Sequence, residues 1–288
     1  MNKKVRTLIP AFDIDMGGIP LKQALPTNNV QQVDPFLLLH HGEIKYRKHA
    51  KAVHQGVGAH PHRGFTPVTF IIEGEIHHRD SRGNNQIAKK GEVQWMHAGS
   101  GIVHSERPSQ DLIDRNDTNE IIQLWINTPA EKKMKEPSYQ HVPEQEIPFF
   151  LSEDKNIRSK VIAGQYGSSK GKIDVESELL MLWNDAIGKG SQTFSIPKGF
   201  NSMIYTIKGQ LRVKDHGLVE KESLVIFEDD GDQVSITADK CASFLLLSGL
   251  PLKEKMVQHG PFVMNSQTEI LEAMRDYQMG KIGILIEE

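Results

Sequence analysis

The chain has 288 residues, 38% of them apolar and 25% charged, with a formal net charge of −3. It is long enough for two globular domains and has no surplus of positive charge to hold phosphates, so direct nucleic-acid binding is not the default function. The opening MNKKVRTLIPAFDID lacks the apolar core of a signal peptide, and no apolar run approaches the ~20 residues that span a bilayer. The expected location is the cytoplasm, with no membrane partner.

From residue 36 to 127 the apolar runs are short, rich in Val, Ile, Phe and Thr, and separated by turn residues: PFLLLHH, TPVTFIIEG, EIHHRDSRGN, GEVQWMHAG, EIIQLWINTP. This spacing predicts an all-β sandwich or barrel rather than alternating strands and helices. The basic run KYRKHAK at 45–51 is read as a solvated loop. Residues 131–150 are polar and interrupted by Pro137, Pro143 and Pro148, which predicts a linker. The expected division is therefore 1–135 for a first barrel, 136–150 for the linker and 151–288 for a second barrel with a terminal helix. The β pattern resumes at Arg158, and MIYTIKGQLRVKD repeats the strand, glycine turn, strand order of VTFIIEGEIHHRD, as in a duplicated barrel. Cys241, the single cysteine, lies in CASFLLLSGL; it can form no internal disulfide and reads as a small buried hydrophobe. SQTEILEAMRDYQMG predicts one amphipathic helix. Ser266 and Glu269 form its capping box, Ile270, Leu271, Met274 and Tyr277 its apolar side, and Gly280 its end.

The chemistry concentrates in HPHRGF. A strand sends residues i and i+2 to one face, so His60 and His62 can point together into a cavity. GSGIVHSE offers a second such pair, His104 and Glu106. Facing dyads give three imidazoles and a carboxylate, a set that suits a divalent transition metal and leaves coordination positions open for catalysis. The plain alternative for His60 is a polar patch on the turn after Gly56 and Gly58. Other pairs rank behind: His41 and Glu43 precede a charged loop and read as exposed, Glu75 and His77 share a face but a hairpin turn puts Glu75 at the rim, and His78 and His97 read as lone imidazoles in a hydrogen-bonded surface or supporting role. No phosphate-binding loop, nucleophile elbow or dinucleotide fingerprint is present.

Taken together, HPHRGF, Glu73-Gly74 with His78, Asp80-Ser81 and Gly83-Asn84, GEVQWMHAGSGIVHSE, QLWINTP, IPKGFNSMIYTIKG and QHGPFVMN resemble the pirin family over nearly the whole chain. The resemblance implies two tandem cupin barrels (double-stranded β-helices). It also implies one metal site in the first, formed by the residues matching His60, His62, His104 and Glu106. Fe(II) is the first expectation, with Ni, Cu, Mn or Zn as alternatives. The implied activity is like that of quercetin 2,3-dioxygenase, acting on a small aromatic or polyphenol substrate and dioxygen with release of carbon monoxide. The alternative is an iron-responsive, non-enzymatic regulator that binds a transcription factor or metabolic enzyme. Thr66 stands where many pirins have Glu, which places the role of catalytic base on Glu106. The matching segment of the second barrel, PKGFNSMIY, has no histidine, so that barrel is expected to hold no metal. Val68 and Phe70 are expected to line the substrate pocket.

Overall fold

Strands make up most of the computed structural model, which describes residues 1–287, and its α-helices are Gln110–Arg115 and Gln267–Gln278. The two barrels implied by the repeat are present, each with a seven-stranded and a four-stranded sheet. No helix among the described residues is long and apolar enough to cross a membrane.

The unit that contains the second barrel comprises Met1–Phe12, Lys22–Pro35 and Gln145–Leu252. Its larger sheet has the order Val5–Pro10, Ser223–Phe227, Asn201–Lys208, Ala242–Gly249, Leu179–Ala186, Ile157–Ala163, Phe149–Leu151. Alternating residues such as Leu180 and Leu182, or Phe244 and Leu246, point inward and meet Phe194, Val213 and Ile236 of the smaller sheet in one apolar cluster. Each such side chain contributes roughly 1.5–3 kcal/mol on burial, and together they fill the interior.

The unit that contains the first barrel comprises Asp13–Leu21, Phe36–Glu144 and the chain from Lys253 onward. In its larger sheet Ser138–Val142, Val93–His97, Phe65–Glu73, Thr118–Asn127 and Phe36–Lys45 run side by side. The smaller sheet has the order Val57–His62, Ile102–Arg107, Glu75–Asp80, Asn85–Lys89.

Four expectations are corrected. The division into units is not linear. Val5–Pro10 pairs with Ser223–Phe227 of the second barrel's sheet, whereas the terminal helix packs its Ile270 and Ala273 with Val103, Phe262 and Met264 of the first unit. Open sheet edges and apolar faces recruit whichever segment can reach them, irrespective of sequence order. The expected linker 136–150 holds strands: Ser138–Val142 pairs with Val93–His97, and Phe149–Leu151 pairs with Ile157–Ala163. Its prolines stand at strand ends, where no ladder donor is needed. Cys241 is exposed, because it precedes the inward alternation of Ala242–Gly249. The helix keeps its Ser266 cap, with Ser266 Oγ accepting from Glu269 N, while the Glu269 carboxylate accepts from the backbone N–H of Asn265, one residue before the cap. Its buried stripe, however, is Ile270, Ala273 and half-buried Met274, while Leu271 and Tyr277 are 58% and 40% exposed.

Candidate metal centre

Antiparallel pairing of Val57–His62 with Ile102–Arg107 sets His104 opposite His60. On its other side the same strand pairs with Glu75–Asp80, which sets His104 opposite Asp80 and Glu106 opposite His78. Three i, i+2 dyads on adjacent strands, His60/His62, His104/Glu106 and His78/Asp80, thus share one face.

The ligand atoms of His60, His62 and His104 lie within 4.8 Å of one another. The His60 ring nitrogen Nδ1 stands 2.7 Å from Gly58 O, and Nδ1 of His62 stands 3.4 Å from Pro261 O. A carbonyl can only accept, so both rings carry their proton on Nδ1 and, when neutral, leave Nε2 bare. These two Nε2 atoms are 3.1 Å apart. His104 Nε2 is buried without a hydrogen-bond partner among the described residues. Lone pairs brought this close repel unless a cation sits among them, and three neutral imidazoles fit a transition-metal ion. Burial, first, and the neighbouring imidazoles hold the His62 and His104 rings well below the usual histidine range. Both therefore stay neutral and ligand-competent at neutral pH.

Glu106 lines the same cavity, 7% exposed, outside the three-imidazole group. Its Oε1 accepts from Thr69 Oγ1 at 3.1 Å and its Oε2 from Gln123 Nε2 at 2.8 Å. Trp125 Nε1 donates to Gln123 Oε1 at 3.1 Å. An indole can only donate, which fixes the Gln123 amide so that its nitrogen faces the carboxylate.

The remaining residues of HPHRGF secure the strand. Arg63 donates from Nε to Ser100 O and from both terminal nitrogens to Asp276 of the terminal helix. Gly64 has φ +83°, and a Cβ there would strike Val263 O, so only glycine lets the strand Phe262–Met264 approach. Buried Lys133 then bridges Gly64 O, Val263 O and Asn127 Oδ1. Phe65 packs on Trp125 and on the His62 ring.

The other candidates are occupied elsewhere. His41 is buried, not exposed, and its Nε2 lies 3.1 Å from Glu120 Oε1, while Glu43 is exposed. Glu75 is buried against Arg115, and His77 meets Asn85. Thr66 and the expected pocket residues Val68 and Phe70 lie on the wrong parity. Thr66 meets His97 and Thr128, whereas Thr69 reaches Glu106. A one-residue slip exchanges the faces of a strand, so Thr66 faces His97 and Thr128, on the side opposite Thr69. Unexpected lining comes from Met16, Ile19 and Leu21 of an unremarked N-terminal segment, from Tyr46 of the supposed solvated loop, and from Gln123, Trp125 and Pro261. The cavity measures about 230 Å³, room for a small molecule, and its walls are mainly apolar. His40, also lining it, is lowered to about 4 by burial.

The chain matches the family models described as Pirin, over residues 18–126, and Pirin C-terminal cupin domain, over residues 185–283. A Pseudomonas aeruginosa protein provisionally named quercetin 2,3-dioxygenase is 35% identical over 92% of each chain. Pirin-1 of Arabidopsis thaliana is 33% identical over 97% of this chain and 94% of its own. The crystal structure of a quercetin 2,3-dioxygenase from Acinetobacter baumannii superposes with a TM-score of 0.92 at 32% identity, covering 99% of this chain and 100% of that one.

Proposed function

The chain belongs to the pirin family, and on that premise we propose that it is a metal-dependent dioxygenase that opens the heterocycle of a flavonol-like enol with dioxygen and releases carbon monoxide. The observation that carries this reading is the grouping of His60, His62 and His104, whose ligand atoms lie within 4.8 Å of one another, with His60 and His62 lining a mainly apolar cavity. His60, His62 and His104 would hold the ion with Glu106 as fourth ligand. Fe(II) is the proposed metal, and Ni, Cu, Mn and Zn can take the same donors. When bound, such an ion would supply a Lewis acid for the enolate, and Fe(II) would add a redox-active centre for dioxygen.

The chain's own groups supply position and proton transfer. Ile44, Ile76, Ile121 and Trp125 offer an apolar wall to an aromatic ring and exclude water. An ionised carboxylate has about four lone-pair sites, of which Thr69 and Gln123 engage two on Glu106. Glu106 thus retains capacity both to ligate and to accept the proton of the substrate hydroxyl. Its two donors hold the carboxylate in place for that transfer.

The test is gas balance. Protein loaded with one equivalent of Fe(II) or Ni(II) and given a flavonol should consume dioxygen and evolve carbon monoxide in equal amounts. Loaded protein that binds the flavonol yet consumes no oxygen would overturn the enzymatic reading in favour of the regulator.

A further inference from the structure

Four hydrogen bonds converge on the Asp80 carboxylate. Oδ1 accepts from the backbone N–H groups of Arg82 (2.9 Å) and Asn84 (3.1 Å), and Oδ2 accepts from Asn84 Nδ2 at 2.8 Å. The fourth contact, 3.0 Å from Oδ2, is His78 Nε2. With the carboxylate acting only as acceptor, His78 carries its proton on Nε2. A neutral His78 then has a bare Nδ1, which stands 3.4 Å from Nδ1 of His104. Only His104 can supply the hydrogen between these two atoms, so its proton sits on Nδ1 and its Nε2 is bare. Tyr139 stacks on the His78 ring at 4.2 Å and 10°, which holds the plane of the relay.

The need for such a device follows from the sheet. His60 lies on the edge strand of its sheet and its ring reaches a backbone carbonyl, Gly58 O. His104 lies on an inner strand whose backbone pairs on both sides, so its ring must find a side-chain acceptor instead. We propose that His78 and Asp80 are a positioning pair: by fixing the proton on His104 Nδ1 they aim the Nε2 lone pair of His104 at the metal. This rests on the metal-centre reading above, and it gives the motif His78, Asp80-Ser81, Gly83-Asn84 a physical task, with the turn after Asp80 supplying the donors that hold the carboxylate.

Two readouts test the pair. Long-range ¹H–¹⁵N NMR on the metal-free protein reports the tautomer of each imidazole, and calorimetric titration with Ni(II) reports affinity. The parent should show His104 in the Nδ1–H form. His78→Phe keeps a ring against Tyr139 but removes the acceptor. It should shift His104 toward Nε2–H and weaken Ni(II) binding by roughly 10- to 100-fold, the usual cost of losing a partner behind a metal ligand. His78→Gln, whose amide oxygen can accept from Nδ1–H, should recover part of both. Should the Phe variant not fold, Asp80→Asn releases the His78 tautomer and is expected to move both readouts in the same direction. An Nε2–H His104 in the metal-free parent, or a His78→Phe protein with parental tautomer and parental Ni(II) affinity, would overturn the pair. A parent with the Nδ1–H tautomer that binds neither Ni(II) nor Fe(II) would instead overturn the metal reading.

Discussion

The two barrels begin from the same strand, glycine turn, strand unit and end with opposite interiors. Setting Gly74 on Gly209, both at positive φ, places Thr69 on Ile204 and His78 on Val213. The same alignment lays HPHRGF on SIPKGF, so His60 and His62 fall on Ser195 and Pro197. In the second barrel Ile204 and Val213 join one apolar cluster. In the first, Thr69 holds Glu106 and His78 meets His104. One framework thus tolerates an interior filled for stability or one lined with polar groups that satisfy each other. The second kind sacrifices apolar burial for chemistry.

The contrast is broken most severely by exchanging large for small on each side. Phe244→Ala, in the filled interior, should cost about 3–5 kcal/mol in urea unfolding. His62→Ala should leave the unfolding midpoint of the metal-free protein near the parent's, yet remove metal and turnover together. A His62→Ala protein with full metal and full turnover would refute the ligand assignment. Next in size is Glu106→Gln: turnover per bound metal should fall by roughly 10²-fold, the cost of a lost positioned base. A rate per metal equal to the parent's would make Glu106 a ligand alone. The smallest effect concerns the tail that serves the first barrel. Burial raises the Asp276 carboxyl, but hydrogen bonding and charge from Arg63 outweigh it and hold it below the usual carboxylate range. Its contribution to stability is therefore complete above the unfolded value of ~3.9 and is lost as pH falls through the lower folded value. Melting curves at descending pH should show this loss in the parent, and Asp276→Asn should flatten that part of the slope.

What the sequence disclosed was local and periodic. Strand content, the capping spacing of Ser266 and Glu269 and the i, i+2 pairs His60/His62 and His104/Glu106 all follow from spacings of two or three residues, and the repeat from a likeness of local pattern between the two halves. What it concealed depends on parity and on distant partners. Within TPVTFII every second residue is apolar or small, so nothing local distinguishes the face of Val68 from that of Thr69, and only strand pairing shows that Thr69 faces Glu106. Cys241 shares the apolar run CASFLLLSGL but stands outside the strand Ala242–Gly249, so composition suggests a burial that the strand boundary denies it. Gln123 could not be seen as a partner of Glu106, because the strands Phe65–Glu73 and Thr118–Asn127 first have to pair before Thr69 and Gln123 come opposite one another. Ile270 and Ala273 emerge as the buried stripe only once the helix has a unit to pack on.

A metal ion held by His60, His62 and His104 is what the proposed chemistry most depends on. Anomalous diffraction at the metal edge, on crystals grown from protein replete with Fe(II) or Ni(II), tests it directly. One anomalous peak per chain is expected, within bonding distance of Nε2 of His60, His62 and His104. A replete crystal with no peak there, or with its peak at other side chains, would contradict it.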